Sequence, residues 1–159
     1  MTDDPESAPN ADASVAFVCV ENAGRSQMAA AFAERELADR DLADEITIVS
    51  GGTDPAEHVH DVVFEAMAEV GIDLSDREPR EITPGELADV GYVITMGCSA
   101  EDVCPATWRG DARDWALDDP AGQDLETVRK IRDGTRRRVA DLIDELARNQ
   151  DERSSLIRD

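Results

Sequence analysis

Strand-like apolar runs alternating with helical periodicities predict an α/β fold: a single domain built on a four-stranded parallel sheet with helices on both faces. Three observations carry that expectation. The runs at 14–20, 46–50 and 92–96 are short, rich in β-branched residues and mostly apolar, as buried parallel strands are. The windows between them place apolar residues at helical spacing. A length of 159 residues with 41% apolar content is enough for one buried core, with no repeat or composition break to mark a second.

Each element follows from its residues. Positions 1–13 are polar and proline-bearing, and are expected to form a disordered acidic tail before a domain at 14–148. The first strand, 14–20, leads through a turn containing Gly24 into a helix at about 25–39 with Met28, Phe32 and Leu37 on one side. After the second strand at 46–50, the clearest helix in the chain carries Val59, Val62, Val63, Ala66, Met67 and Val70. Thr83-Pro84-Gly85-Glu86 is a capping box with proline at the first helical position, opening a short helix to about 89. The third strand is 92–96, and 114–117 reads as a short fourth. A last long helix buries Leu125, Val128, Ile131, Val139, Leu142 and Leu146, and 149–159 is expected to fray. Trp108 and Trp115 read as core, and His58 and His60 as surface residues at a helix start, with spacings that fit no structural zinc pattern.

Composition narrows the setting. There are 37 acidic residues against 16 basic ones, a formal net charge of −21, and a single lysine, Lys130. Nucleic acid and anionic membrane are thereby excluded as expected partners, since both require a basic footprint. In molar salt the Debye length is only ~3 Å, so crowded carboxylates repel one another little. The composition therefore predicts the cytoplasm of an extreme halophile. The acidic N-terminus does not read as a signal peptide, and no run approaches a membrane span. Three cysteines, an odd number, suit a reducing cytoplasm better than a disulfide framework.

The chemistry concentrates at 19–26. Cys19 ends a strand, Arg25 follows after five residues, and a helix begins at once. A loop of that length can wrap a tetrahedral oxyanion with backbone N–H groups, and the helix adds its unpaired amides and positive dipole end. Arg25 can close the ring as a bidentate fork, and the same surroundings favour a thiolate at Cys19. Glu21, Asn22, Ala23, Gly24, Arg25 and Ser26 are thus the expected oxyanion-binding residues, with Cys19 attacking phosphorus or an isoelectronic centre. Cys19, Cys98 and Asp119 each fall at or just past the carboxyl end of an expected strand, where open α/β sheets bind ligands. Pro120 holds the Asp119 backbone extended, and a carboxylic acid there can protonate a departing oxygen.

Cys19-x5-Arg25-Ser26-Gln27-Met28-Ala29 resembles the signature of the low-molecular-weight tyrosine phosphatase superfamily and, more narrowly, of its thioredoxin-coupled arsenate reductases. The likeness extends from 15 to about 147 through Ser50-Gly51-Gly52-Thr53, Glu69-Val70-Gly71-Ile72-Asp73, Cys98-Ser99 to Cys104-Pro105, and Trp115 to Asp118-Asp119-Pro120-Ala121-Gly122. It implies that superfamily's fold, Asp119 as general acid, Asn22 as holder of the loop, and Ser26 as hydrogen-bond donor to the Cys19 thiolate. It also implies a relay in which Cys19 attacks arsenate, Cys98 then attacks the Cys19 sulfur with release of arsenite, and Cys104 displaces Cys19 to leave a Cys98–Cys104 disulfide. The implied partners are arsenate or a phosphate-like oxyanion and thioredoxin or a similar small redox protein, with no bound cofactor. In a regular helix, residues 98 and 104 would stand about 9 Å apart, too far for a disulfide, so that segment must loop or unwind.

Departures from the pattern bear on function. Five residues separate Cys98 from Cys104 where the reductases place six, and Gly24 stands where a cysteine is usual. Glu21 would repel an oxyanion unless it points outward. A glutamate that supports a cation site in some reductases maps to Ala30, so no metal site is expected. Phosphomonoester hydrolysis by the same Cys19 and Asp119 is the alternative activity. Phosphatases of this fold carry tyrosines after the Asp-Pro, whereas Ala121-Gly122 follow here, which favours a small inorganic oxyanion.

Overall fold

In a computed structural model the chain is described over residues 14–97 and 110–158, with side chains through 149. The tail at 1–13 and the segment 98–109, with Cys98, Cys104 and Trp108, lie outside the described residues. The elements are β1 Ser14–Cys19, α1 Arg25–Asp39, β2 Thr47–Gly52, α2 Asp61–Ala68, α3 Pro84–Leu87, β3 Tyr92–Met96, β4 Asp111–Asp114 and α4 Leu125–Arg158. The four strands form one all-parallel sheet in the order β2-β1-β3-β4, as the sequence predicts.

β1 is the central strand and every one of its residues is buried. Alternation splits it between two cores. Val15, Phe17 and Cys19 belong to the larger one, with Met28 and Phe32 of α1, Val63 and Met67 of α2, and Val139 and Ile143 of α4. Ala16 and Val18 face a smaller cluster with Ile82, Leu87, Val90 and Val93. Burying a side chain of the size of Phe17 or Met67 stabilises the fold by about 1.5–3 kcal/mol. β1 pairs with β2 on one side and β3 on the other, so its carboxyl end is where the connections diverge and a crevice opens. Register sets Cys19 opposite Gly52 and Met96 at that end.

Three expectations need correction. The fourth strand is Asp111–Asp114, not 114–117. It is an edge strand with mostly exposed residues and so lacks the apolar signature of its neighbours. The Trp115 N–H donates to the Thr95 carbonyl at 2.9 Å, while its ring packs against Phe17 with centroids 5.8 Å apart. β2 runs on to Gly52, since Gly51 and Gly52 pair with Val18 and Cys19. The last helix does not end near 149 but continues to Arg158, because no glycine or proline after Gly134 interrupts it. The capping box is present as expected: Glu86 N–H donates to Thr83 Oγ1 (3.3 Å) and Thr83 N–H to Glu86 Oε1 (3.1 Å). No helix among the described residues is long and apolar enough to cross a membrane.

Candidate active site

The loop between β1 and α1 owes its shape to a second segment, which the sequence alone did not single out. The carbonyls of Cys19, Val20, Glu21 and Ala23 accept from the N–H groups of Thr53, Asp54, Ala56 and His60, at 3.2, 2.8, 3.0 and 3.0 Å. Four loop carbonyls are thereby turned toward residues 53–60. The amides of Glu21, Ala23 and Gly24 have no acceptor among the described residues, which leaves donors for an anion. Gly52 lets the loop lie down. A Cβ there would come within 2.4 Å of the Val20 carbonyl oxygen and 3.0 Å of Asn22 N.

Asn22 anchors the interior. Its φ of 52° is left-handed, a conformation asparagine tolerates better than most residues. It is fully buried, and its Oδ1 accepts from Gln27 Nε2 (3.1 Å) and from the Arg80 N–H (3.0 Å). Those two donors orient the amide, so that Nδ2 donates to Ser26 Oγ at 2.7 Å. The same Ser26 hydroxyl shares a hydrogen bond with Cys19 Sγ, 2.9 Å away. The Asn22 N–H points at the same sulfur from 3.1 Å. Gln27 completes the lattice by also donating to the Asn22 and Glu78 carbonyls (3.0 and 3.3 Å). Both contacts converge on a sulfur that is only 3% exposed.

Arg25 opens α1 and ties strand ends together. Its Nη1 donates to the Leu117 carbonyl at 2.9 Å, and Nη2 stands 3.8 Å from Asp119 Oδ2, beyond hydrogen-bond distance. Gly97, just past β3, lies against the same guanidinium. A Cβ at Gly97 would meet Nη2 at 2.9 Å, and its φ of +88° is also one that glycine adopts freely. Asp119 is exposed, and its Oδ1 accepts from the Ala121 N–H at 3.0 Å, an Asx turn around Pro120 that presents the second oxygen to Arg25. Pro120 is buried against Gly24, where a Cβ would sit 2.6 Å from Pro120 Cγ. That contact accounts for glycine where a cysteine was expected: the ring occupies the space a side chain would need.

Cys19, Val20, Glu21, Ala23, Gly24, Arg25, His60, Gly97, Asp119 and Ala121 line one pocket of about 400 Å³. The predicted nucleophile, guanidinium and general acid are therefore brought together. Glu21 does not fill the seat. It stands at the rim, where Oε1 lies 3.2 Å from His60 Nε2. His60 is the residue that sequence reasoning missed, because a histidine before a helix reads as surface; its backbone bond to Ala23 is what carries it to the pocket. Gly97, which also lines the pocket, is the last described residue before Cys98. Among the described residues no cluster of metal-ligating side chains is found.

Comparison with known proteins adds four findings to this geometry. A family profile described as low molecular weight phosphotyrosine protein phosphatase matches residues 14–152. The chain is 57% identical over 129 residues to a Halobacterium salinarum protein provisionally named an arsenate reductase, spanning 81% of this chain and 89% of that one. It is 36% identical over 132 residues to the glutaredoxin arsenate reductase of Synechocystis sp., spanning 81% of this chain and 95% of that one. Among solved structures, a thioredoxin-dependent arsenate reductase of Corynebacterium glutamicum superposes with a TM-score of 0.73 at 30% identity, over 91% of this chain and 67% of that one.

Proposed function

The chain belongs to the low molecular weight phosphotyrosine protein phosphatase family, and within it we propose that this protein is an arsenate reductase drawing electrons from a small dithiol protein. The observation that carries the reading is Cys19 Sγ at the base of the pocket, held by Ser26 Oγ and the Asn22 N–H, with Arg25 and Asp119 on the wall above. The names of the relatives support arsenate as substrate.

The Cys19 thiolate attacks arsenic in the bound oxyanion, and an As–O bond breaks. Asp119 supplies the proton that lets the oxygen leave as water. The loop amides of Glu21, Ala23 and Gly24 and the free edge of Arg25 hold the remaining oxygens. The thiolate of Cys98 then attacks Cys19 Sγ. A sulfur–sulfur bond forms, the sulfur–arsenic pair passes to arsenic, and As(V) leaves as As(III). Cys104 attacks Cys98 Sγ and returns Cys19 to its thiolate, leaving a Cys98–Cys104 disulfide for the external dithiol. Gly97 bears on this step: it lines the pocket and immediately precedes Cys98 in the chain.

Arsenite release with a thioredoxin or glutaredoxin system, followed beside p-nitrophenyl phosphate hydrolysis in molar KCl, tests the reading. Cys98→Ser is expected to stop arsenate reduction while sparing any phosphatase activity, since water can attack a phosphocysteine. Cys104→Ser is expected to permit one turnover and to accumulate a Cys19–Cys98 disulfide visible by mass spectrometry. Multiple turnovers of arsenate reduction in either variant would refute the relay. Phosphate ester hydrolysis without arsenite formation in the unmodified protein would put the phosphatase reading in its place.

A further inference from the structure

Two acid–base pairs flank the pocket: Arg25 with Asp119, and Glu21 with His60. The mechanism above uses only the first. The second is unexpected because Glu21 belongs to a loop whose amides are arranged for an anion. Its side chain contributes nothing evident to the fold, being 49% exposed. His60 is equally unaccounted for: it occupies the N-cap of α2, yet its side chain makes no capping hydrogen bond. Both residues nonetheless line the pocket.

The carboxylate is held by one oxygen only. Oε1 meets His60 Nε2 at 3.2 Å, and Oε2 has no partner among the described residues. An ionised carboxylate is acceptor-only. Against a fully deprotonated oxyanion it can only repel. Against an oxyanion that carries a proton, it can accept a charge-assisted O–H···O hydrogen bond, and these are short and strong. A carboxylate at the rim therefore sorts ligands by whether they bear a hydroxyl, using an unfavourable contact with one class as well as a favourable one with the other.

We propose that Glu21 is a specificity-determining residue that admits protonated tetrahedral oxyanions, hydrogen arsenate and hydrogen phosphate, and rejects sulfate, and that His60 is the positioning residue that keeps its carboxylate at the rim. The proposal rests on the oxyanion-site reading of the same pocket. Sulfate matches arsenate in shape and charge, so neither the loop amides nor Arg25 distinguishes the two. Glu21 does, because at neutral pH sulfate has no proton to give. Arg25, Asp119 and Cys19 are the other ionisable groups lining the pocket, and none offers a second free carboxylate oxygen beside the loop amides: Asp119 Oδ1 is engaged by Ala121, and its Oδ2 faces Arg25.

The test is protection of Cys19 from iodoacetamide by phosphate or sulfate at constant ionic strength, which reads binding without turnover. The unmodified protein is expected to be protected by phosphate at a concentration at least tenfold lower than by sulfate. Glu21→Gln, whose amide can donate to sulfate, should bring the two within about threefold, chiefly by tightening sulfate. His60→Ala should weaken phosphate protection by about tenfold, some 1.4 kcal/mol. His60→Gln keeps a donor for Glu21 and should restore most of that loss, which a merely structural role for the ring would not do. If phosphate does not protect the unmodified protein, the oxyanion-site reading itself fails. If phosphate protects but Glu21→Gln keeps the tenfold preference, the site stands and this inference is overturned.

Discussion

Replacing Asn22 by alanine tests whether the buried amide lattice, and not the loop sequence in general, shapes the site. The magnitude follows from two separable terms. The side chain makes three hydrogen bonds, to Ser26, Gln27 and the Arg80 N–H, at 2.7, 3.1 and 3.0 Å. At about 1 kcal/mol each, their loss amounts to roughly 3 kcal/mol. The backbone sits at φ 52°, where a Cβ-bearing residue without a local hydrogen bond pays a further ~1–2 kcal/mol. Asn22→Ala is therefore expected to lose about 4–5 kcal/mol, and Asn22→Gly about 1 kcal/mol less, because glycine removes the backbone strain but not the lost bonds. Urea unfolding at fixed salt measures both, and iodoacetamide alkylation of Cys19 follows the site directly. The Cys19 rate should fall in both variants, since Ser26 loses the donor that aims its hydroxyl at the sulfur. An alanine variant within 1 kcal/mol of the unmodified protein, or a glycine variant less stable than the alanine one, would refute the reasoning.

Other perturbations have equally definite outcomes. Gly24→Cys restores the residue the resemblance leads one to expect, but its Cβ would lie 2.6 Å from Pro120 Cγ; a loss of about 1–3 kcal/mol in stability is expected, with a fall in kcat as the Asp119 segment is displaced, and unchanged values for both would refute the contact. Asp119→Asn should keep phosphate protection of Cys19 while slowing turnover by about 10²–10⁴-fold; loss of protection with normal turnover would make Asp119 structural. Glu69 is held at about 2, against an ordinary value of 4.5, first by its hydrogen bond to Arg129 and also by Arg132. Its folded value is depressed, so its contribution is whole above pH 4.5 and drains away as pH falls toward 2. The melting-temperature gap between the unmodified protein and Glu69→Gln should therefore close over that interval, and a gap constant down to pH 2 would show the pair to be inert.

What the sequence revealed tracks how locally each feature is determined. β3 and α1 were legible to the residue, because burial on both faces of a strand and apolar spacing on a helix are written in consecutive positions. β4 was displaced by three residues, since an edge strand needs no apolar signature and its position follows from the register with β3. The same division holds in the site. Cys19, Arg25 and Asp119 were visible because their chemistry is intrinsic to their side chains and their places in the chain. Gln27 and the Arg80 N–H were invisible as partners of Asn22, because 58 residues separate Asn22 from Arg80 and one partner is main chain. His60 does stand at a helix start, as read, but its place at the pocket was not legible for a related reason: the bond that brings it there is made by its backbone N–H, to which the sequence is blind.

The bonds from Thr53, Asp54, Ala56 and His60 to the loop carbonyls carry a consequence for transplantation. A designer who grafted residues 19–26 onto another strand–helix junction would move the thiol, the guanidinium and the hydroxyl, but not the four amides that rotate the loop's carbonyls outward. The grafted loop would be free to turn those carbonyls inward and would then present partial negative charge to its ligand. The smallest portable unit is accordingly two discontinuous pieces, the loop and the stretch from Gly52 to His60, on adjacent parallel strands in the register found here. Conversely, substitutions among residues 53–60 that add proline at a donating position should silence the pocket without touching any residue of its chemical motif.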